Sequence, residues 1–250
     1  MAYHVVIPAR FASTRLPGKP LLEIAGQPMI WHVYQRALES AADQVVIATD
    51  DQRIADAATA FGAQVCMTAA DHQSGTDRIA EVAAKLGWGG DDIVVNLQGD
   101  EPLMPARLLD QVAKALAARP QAAMSTLAVP LDADQVFDSN AVKVVADRHG
   151  MALYFSRAPI PWKRGQFEQR EAQAEGMLRH LGIYAYRVSF LQRYVAWAAA
   201  PIEQDESLEQ LRVLWQGERI AVDVAGEAPP AGIDTEEDYQ RLLAHFAALD

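Results

Sequence analysis

The chain has 250 residues, of which half are hydrophobic and 22% are charged, a composition typical of a folded globular protein. Its 22 Lys and Arg face 33 Asp and Glu, which gives a formal net charge of −11. That charge argues against a general nucleic-acid binder, because such proteins need a basic surface to neutralise phosphates.

No segment is predicted to cross a membrane or to act as a secretory signal. The longest stretch without Asp, Glu, Lys or Arg is Ala57–Ala70, 14 residues, whereas a membrane helix needs about 20. The N-terminal residues lack the basic start, apolar core and cleavage site of a signal peptide. A single cysteine, Cys66, allows neither an internal disulfide nor a multi-thiolate metal site. We therefore expect a cytoplasmic protein without membrane insertion.

Strands and helices are predicted to alternate through the first hundred residues. Val5–Ile7 is an apolar run typical of a buried strand, and Met29–Leu38 has apolar residues at helical spacing. Further strands are predicted at Val45–Thr49, Gln64–Met67 and Ile93–Leu97, with helices between them. This alternation predicts an α/β fold with a mostly parallel sheet flanked by helices.

The second half of the sequence is less regular. A hairpin is predicted on either side of Gly150, and an exposed loop at Lys163–Glu175. Strands follow at 182–187 and 219–224, with helical patterns between them and a final helix after the second strand. We expect a single domain over residues 1–250, with a smaller subdomain at about 141–200.

A short basic segment interrupts this acidic chain. No acidic residue precedes Glu23, yet the loop after the first strand carries Arg10, Arg15 and Lys19. A rigid, positively charged loop at the carboxyl end of a parallel strand is suited to binding an anion. The loop matches neither the P-loop nor the dinucleotide-binding fingerprint. A solvated basic loop on an acidic protein is the alternative.

Two aspartates are candidate metal ligands. Asp100 follows the strand that ends at Leu97, so its carboxylate is predicted at the sheet edge near the basic loop, where it could hold Mg²⁺. An aspartate bonded to turn amides is the alternative. Asp234 is either a metal ligand or the N-cap of the last helix with Glu237 as its capping-box partner. The two roles could also be divided between Asp234 and Thr235.

Eight sequence blocks carry a resemblance to a known family. They are VVIPARFASTRLPGKPL, ADHQSGTDR, VVNLQGDEP, NAVKVV, LYFSRAPIPW, RHLGIYAYR, LEQLRVLW and GIDTEEDY, in this order between Val5 and Tyr239. Together they closely resemble the 3-deoxy-manno-octulosonate (Kdo) cytidylyltransferases, or CMP-Kdo synthetases. The resemblance implies an Mg²⁺-dependent nucleotidyltransferase that makes CMP-Kdo and pyrophosphate from CTP and Kdo for lipopolysaccharide biosynthesis. It also implies a nucleotide-diphospho-sugar transferase type of fold and a homodimer formed through the smaller subdomain.

The resemblance also assigns roles to individual residues. The residues matched to CTP binding are Arg10, Arg15, Lys19, Ser74, Gly75 and Arg78. Those matched to the Kdo pocket are Gln98, Arg157, His180, Tyr184, Glu209 and Gln210. Asp100 and Asp234 match the Mg²⁺ ligands, and the catalytic group is Lys19, Arg15 and Asp100. No protein general base is assigned.

A few positions depart from the family pattern. Phe11 stands where tyrosine is common, while Asp205 and Ser207 alter the approach to Glu209. One alternative function is cytidylyl transfer to another acidic sugar, such as a sialic acid or an amino analogue of Kdo. Another is a non-catalytic nucleotide-binding module, which would be indicated by loss of Lys19 or of a metal carboxylate. None of these residues is lost.

Overall fold

The computed structural model describes residues 2–12, 16–72, 74–167, 173–230 and 232–248. The chain divides into two compact units. The first unit comprises Met1–Asp110, Arg187–Val195 and Pro229–Asp250, and the second comprises Gln111–Tyr186 and Ala196–Ala228. The subdomain predicted at about 141–200 overlaps the second unit in residues 141–186 and 196–200.

Within the described residues, strands and helices alternate as expected for an α/β protein. The strands are β1 His4–Ala9, β2 Glu23–Ile24, β3 Gln27–Pro28, β4 Gln44–Thr49, β5 Gln64–Met67, β6 Ile93–Asn96, β7 Met124–Pro130, β8 Lys143–Ala146, β9 Ala152–Ser156, β10 Leu178–Arg187 and β11 Ile220–Val224. The α-helices are α1 Met29–Leu38, α2 Gln52–Ala60, α3 Gly75–Leu86, α4 Ala106–Ala117, α5 Val188–Tyr194, α6 Pro201–Glu206, α7 Gln210–Trp215 and α8 Glu236–Ala247. None of these helices is long and apolar enough to cross a membrane.

The first unit is built on a parallel sheet in the order β6-β1-β4-β5. In its centre, Val6 lies opposite both Val46 and Asn96. Helices α1, α2 and α3 pack against the strands. Because both faces of such a sheet are covered, its strands read as continuous apolar runs, and Val5, Val6 and Ile7 are fully buried. The predicted α/β class with a mostly parallel sheet is confirmed.

The second unit contains a mixed sheet. Strand β7 pairs in parallel with β11 and antiparallel with β10, which also pairs antiparallel with β8. The predicted hairpin is confirmed by the antiparallel pairing of β8 and β9. Its Gly150 has a φ of 71°, a left-handed conformation that favours glycine. β10 begins four residues earlier than predicted and changes register between Leu181 and Tyr184.

The loop predicted to be exposed at Lys163–Glu175 is mostly exposed or half-buried where the structure describes it, but Phe167 anchors it in the core. Phe167 is only 1% exposed. Its ring packs edge-on against Phe137 and Trp162, with centroid distances of 5.3 Å in both cases. Burial of this aromatic ring gives the polar segment a fixed attachment that its charge pattern did not reveal. Residues 168–172 lie outside the described part of the chain.

Candidate active site

Lys19 is positioned by a tight turn at the end of the basic loop. The preceding Gly18 has a φ of 69°, and its amide donates to the Phe11 carbonyl oxygen at 3.1 Å. A Cβ at Gly18 would lie 3.2 Å from atoms of the Phe11 ring. Glycine is therefore needed both for the backbone conformation and for the close approach. Lys19 then opens a single 3-10 turn, Lys19–Leu21.

Three oxygen atoms surround the ammonium group of Lys19. Nζ donates to Asp100 Oδ2 at 2.7 Å, to the Ile233 carbonyl oxygen at 2.8 Å and to Asp234 Oδ1 at 3.2 Å. The Lys19 side chain is 13% exposed. The prediction that Asp100 lies beside the basic loop is thereby confirmed. We call Lys19, Asp100, the Ile233 carbonyl and Asp234 the Lys19 cluster.

Asp100 is held in place by the close approach of Gly99 to the end of β1 and by a hydrogen bond from Ile233. A Cβ at Gly99 would lie only 2.8 Å from the carbonyl oxygen of Pro8, so a larger residue would push the backbone away. The Ile233 amide in turn donates to the Asp100 carbonyl oxygen at 2.9 Å. This bond fixes the segment that carries Asp234 against the segment that carries Asp100.

Of the two candidates Asp234 and Thr235, Thr235 caps the last helix, and the metal-binding role of Asp234 stays a prediction. Thr235 is the N-cap of α8, and its hydroxyl accepts from the Asp238 amide at 3.2 Å. Asp238 completes the capping box, so the interpretation with Asp234 as N-cap and Glu237 as its partner is wrong. Because Thr235 caps the helix, the Asp234 carboxylate is left to contact Lys19.

A third carboxyl group, Glu101, directly follows Asp100 of the Lys19 cluster and was not among the residues predicted from the sequence. Its Oε2 is shielded from solvent and has no hydrogen-bond partner in the described part of the chain. Burial, assisted by the neighbouring charge of Asp100, raises the pKa of Glu101 to about 8. Glu101 therefore adds less negative charge at neutral pH than its residue type suggests.

Ser74 and Gly75 form the start of α3. The Ser74 hydroxyl accepts from the Asp77 amide at 3.1 Å, and Asp77 Oδ2 accepts from the Ser74 amide at 3.1 Å, which makes a complete capping box. A Cβ at Gly75 would touch Pro8 Cγ at 3.6 Å. This end of α3 therefore lies beside the carboxyl end of β1, on the same sheet edge as the basic loop.

The other predicted CTP ligands differ in their surroundings. Arg78 is fully buried, donates to the Thr68 hydroxyl and pairs with Asp50 at 3.2 Å. Burial lowers the pKa of the Arg78 guanidinium, while Asp50 opposes the shift. Arg10 is exposed directly after β1. Arg15 lies outside the described residues, and the CTP-binding roles of all three arginines stay predictions.

A cavity of about 280 Å³ lies within the second unit. Three of the predicted sugar ligands, His180, Tyr184 and Gln210, are among its lining residues. The others that line it are Asn140, Ala141, Val142, Arg179, Gly182 and Leu208. We call this space the second-unit cavity.

His180 is held in a single tautomer by Thr126. The Thr126 hydroxyl lies 2.9 and 2.8 Å from the carbonyl oxygens of Leu181 and Ile183, and 2.9 Å from His180 Nε2. Since carbonyls only accept and the hydroxyl has one proton, Nε2 must donate to Thr126. Burial lowers the pKa of His180 to about 3, assisted by the Arg179 charge, so the ring is neutral. Nδ1 is therefore an acceptor.

Three predicted sugar ligands are not lining residues of this cavity. Gln98 belongs to the first unit, in the turn that precedes Asp100. Glu209 is exposed at the start of α7. Arg157 donates through Nε to the Glu206 carbonyl oxygen at 2.7 Å and through Nη1 to that of Ser139 at 2.9 Å. Their sugar-binding roles remain predictions.

Two cavity residues, Asn140 and Arg179, were not proposed as ligands from the sequence. Asn140 opens the block NAVKVV and Arg179 opens RHLGIYAYR, both of which carried the family resemblance. Arg179 also immediately precedes His180. Their positions in these blocks are the sequence signal that could have identified them as cavity residues.

Comparisons with known proteins agree with this geometry. A family model described as cytidylyltransferase matches residues 4–220. The 3-deoxy-manno-octulosonate cytidylyltransferase of Hahella chejuensis (strain KCTC 2396) is 58% identical over 250 residues, which cover 98% of each chain. A solved structure of CMP:2-keto-3-deoxy-manno-octonic acid synthetase complexed with CTP is 42% identical and superposes with a TM-score of 0.89. That match covers 100% of this chain and 99% of the other.

A more distant solved structure supports the fold alone. It is a cytidylyltransferase from Leptospira borgpetersenii serovar Hardjo-bovis (strain JB197), 18% identical with a TM-score of 0.65. The match covers 99% of this chain and 87% of that one. Together with the parallel sheet and the Lys19 cluster at its carboxyl edge, these similarities establish that the chain belongs to the cytidylyltransferase family.

Proposed function

We propose that this protein transfers CMP from CTP to the anomeric hydroxyl of Kdo, giving CMP-Kdo and pyrophosphate. The observation that carries the transfer chemistry is the contact of Lys19 with both Asp100 and Asp234. The choice of sugar is supported by the 58% identity to a 3-deoxy-manno-octulosonate cytidylyltransferase. The CTP complex of the structure that is 42% identical supports the choice of nucleotide.

The residues of the Lys19 cluster fit a magnesium ion together with a triphosphate. Mg²⁺ takes oxygen ligands, needs few from the protein and keeps several waters, so two carboxylates suffice when phosphate oxygens complete the shell. Asp100 and Asp234 would hold the metal, since Lys19 Nζ now contacts both carboxylates. When bound, Mg²⁺ would neutralise phosphate charge and lower the pKa of the attacking hydroxyl.

Lys19 has a second role once CTP is bound. The two carboxylates and one ammonium of the cluster leave a net charge of about −1, which opposes binding of a bare triphosphate. With CTP bound, Lys19 Nζ would donate to phosphate oxygens, while Asp100 and Asp234 would hold the metal. Arg10 and Arg15 extend the same positive loop. Ser74, Gly75 and Arg78 belong to the part of the nucleotide site at the start of α3.

The transfer step forms one bond and breaks one. The anomeric oxygen of Kdo bonds to the α-phosphorus of CTP, while the bond from that phosphorus to the bridging oxygen of the β-phosphate breaks. The electron pair leaves with pyrophosphate, and the hydroxyl proton passes to solvent or phosphate. Lys19 and Arg15 stabilise charge on the phosphates in this step, and Asp100 would hold the metal, which would supply further positive charge.

The second-unit cavity supplies the sugar-binding groups. We assign His180, Tyr184 and Gln210 to the hydroxyl-rich sugar, with Gln98, Arg157 and Glu209 as further ligands. His180 Nδ1 accepts a hydrogen bond from a sugar hydroxyl, because its other nitrogen already donates to Thr126. The Tyr184 ring lies at 41° to that of His180, with centroids 5.4 Å apart, and adds an apolar wall.

The cellular setting belongs to the same proposal. CMP-Kdo would be made in the cytoplasm for lipopolysaccharide biosynthesis, by a homodimer that forms through the second unit. Leu153 and Trp162 of this unit expose 61% and 55% of their surface, which is the kind of apolar surface a second copy would cover.

The proposal is tested by incubating the protein with CTP, Mg²⁺ and a panel of acidic sugars. Pyrophosphate release is followed, and the CMP-sugar is identified by mass spectrometry. We expect turnover with Kdo, far above that with a sialic acid. Turnover with another acidic sugar but not with Kdo would overturn the substrate assignment. CTP binding without turnover on any sugar would favour the non-catalytic module.

A further inference from the structure

Arg53, which lies outside the basic loop, contacts an aromatic ring at the start of that loop. The guanidinium carbon of Arg53, in the first turn of α2, lies 3.3 Å from the centroid of the Phe11 ring. This is the geometry of a cation–π contact, in which a cation is attracted to the face of an aromatic ring. Because Phe11 directly follows Arg10, the contact links α2 to the beginning of the basic loop.

The Arg53 guanidinium is oriented by Asp51. Nε and Nη2 of Arg53 donate to Asp51 Oδ1 and Oδ2 at 2.9 and 2.6 Å, a forked pairing that fixes the plane of the guanidinium. The same carboxylate caps α2 by accepting from the Arg53 amide at 3.0 Å. Hydrogen bonds from the Arg53 side chain lower the pKa of Asp51, so this carboxylate is charged at neutral pH. The guanidinium is therefore held in one plane over the Phe11 ring.

The Phe11 ring in turn contacts the turn that carries Lys19. Its Cε2 and Cζ atoms lie 3.2 Å from the position that a Cβ at Gly18 would take. The Gly18 amide also donates to the Phe11 carbonyl oxygen at 3.1 Å. Helix α2 packs against the 3-10 turn Lys19–Leu21 as well. Since Lys19 is the residue after Gly18, the position of the Phe11 ring helps to set the position of the Lys19 backbone.

A role in stability alone does not account for this arrangement. The Arg53 side chain is 60% exposed, and exposed ion pairs contribute little to stability. The cap of α2 needs the Asp51 carboxylate but not the guanidinium. What the guanidinium adds is a cover on the ring that contacts Gly18. A group that binds phosphate must be held close to its productive position, because small displacements reduce both binding and rate.

We propose that Arg53 is a positioning residue for the nucleotide site, which holds Phe11 against Gly18 and thereby sets the position of Lys19. This inference rests on the proposed function, because it concerns how the phosphate-binding loop of that reaction is held. Arg53 acts through the Phe11 ring and not through a contact of its own with the phosphates. Its loss should therefore weaken CTP binding and leave the sugar site unchanged.

The test measures the Kd for CTP in the presence of Mg²⁺ by isothermal titration. Arg53→Ala keeps the helix but removes the guanidinium, so the Kd should rise about 3- to 10-fold while the KM for Kdo stays within about 2-fold. Asp51→Asn keeps a capping oxygen but removes the charge of the fork, so it should weaken CTP binding at an unchanged melting temperature. Arg36→Ala, which removes an exposed ion pair with Glu39 on α1, is the matched control and should bind CTP as wild type does.

A double-mutant cycle separates positioning from a direct contact with phosphate. Phe11→Leu removes the aromatic ring and should weaken CTP binding as Arg53→Ala does, whereas Phe11→Tyr keeps the ring and should retain the affinity. If Arg53 acts through the ring, Arg53→Ala should add less than about 2-fold to the Kd in the Phe11→Leu background. A loss in that background as large as in wild type would mean that Arg53 acts on the nucleotide directly, which overturns the proposal.

The outcomes distinguish this inference from the proposed function. A Kd for CTP within about 2-fold of wild type in both Arg53→Ala and Phe11→Leu overturns the positioning role alone. If Arg53→Ala does not fold, equal CTP affinity of Phe11→Leu and Phe11→Tyr overturns it instead. CTP binding by wild type without turnover of Kdo contradicts the proposed sugar, and the same variants still test Arg53. Absence of CTP binding by wild type contradicts both proposals.

Discussion

The Lys19 cluster and the second-unit cavity differ in whether their polar groups have hydrogen-bond partners. In the cluster, every charge already has a partner, because Lys19 contacts two carboxylates and a carbonyl. Among the residues that line the cavity, Arg179 and Gln210 each have a buried donor atom without a hydrogen-bond partner in the described residues. When a ligand binds to the cluster, it must replace hydrogen bonds that the protein already makes. An unpartnered donor at the cavity can bind an acceptor without losing an existing hydrogen bond. The two sites should therefore respond differently to substitution.

The largest effect is expected at Lys19. Lys19→Met removes the cation that stabilises the phosphates, and kcat/KM for CTP should fall about 10²- to 10³-fold. The uncharged methionine leaves Asp100 and Asp234 without the positive charge that they share in wild type. Because Lys19 then no longer competes for the two carboxylates, Mg²⁺ alone should bind the variant more tightly than wild type. Lys114→Met, on the exposed face of α4, is the matched control. Turnover close to wild type, measured by pyrophosphate release, would remove Lys19 from the mechanism.

Asp100 tests the other half of the cluster. Asp100→Asn keeps the shape but removes one negative charge, so turnover should fall about 10²-fold and should need more Mg²⁺ to saturate. The measurement is initial rate against Mg²⁺ concentration, with Asp134→Asn in an exposed turn as control. An unchanged Mg²⁺ dependence would show that Asp100 does not hold the metal.

In the second unit, Thr126 should affect the sugar and not the nucleotide. Thr126→Val leaves His180 Nε2 and the nearby carbonyls without their hydroxyl, which should lower unfolding free energy by about 1–3 kcal/mol. Because the His180 ring is then no longer oriented by Thr126, the KM for Kdo should also rise by roughly 3- to 10-fold. Thr126→Ser retains the hydroxyl and should resemble wild type in denaturant unfolding and kinetics. Equal behaviour of the valine and serine variants would contradict the proposed tautomer.

The smallest effect concerns the acid stability contributed by Glu81 in the middle of α3. Burial acts to raise the pKa of Glu81, but bonds from Lys85, the Ala69 amide and His72 lower that pKa to about 2. A depressed carboxyl pKa contributes stability above about pH 4.5, and this contribution is lost as pH falls towards about 2. Wild type should therefore be more stable than Glu81→Gln at pH 6, with the difference shrinking below pH 4.5. A difference independent of pH would contradict this account.

The sequence was sufficient to predict the first unit and the meeting of Lys19 with Asp100. Apolar runs such as Val5–Ile7 identify buried parallel strands, and such strands bring the loops at their carboxyl ends to one edge. The choice between Asp234 and Thr235 could not be made locally, since both residues can cap a helix. It depends on the contact between the α8 segment and Lys19, residues more than 200 positions apart.

The second unit was harder to predict because its polar residues are placed by long-range packing. A strand arginine such as Arg179 reads as an exposed side chain, and nothing in the sequence reveals that its Nε lacks a partner. Arg78 reads as a free cation, yet it is fully buried against Thr68 and Asp50. The sequence shows which residues are charged. It does not show which of these side chains already form hydrogen bonds or ion pairs within the fold, and function depends on that.

The most direct test of this division between the sites is CTP affinity. Isothermal titration with Mg²⁺ and CTP should be carried out on wild type, Lys19→Met and Arg179→Met. We predict that Lys19→Met weakens CTP binding at least about 10-fold, while Arg179→Met binds CTP within about 2-fold of wild type. Equal loss of CTP affinity in both variants, or loss in Arg179→Met alone, would contradict the assignment of nucleotide to the first site and sugar to the second.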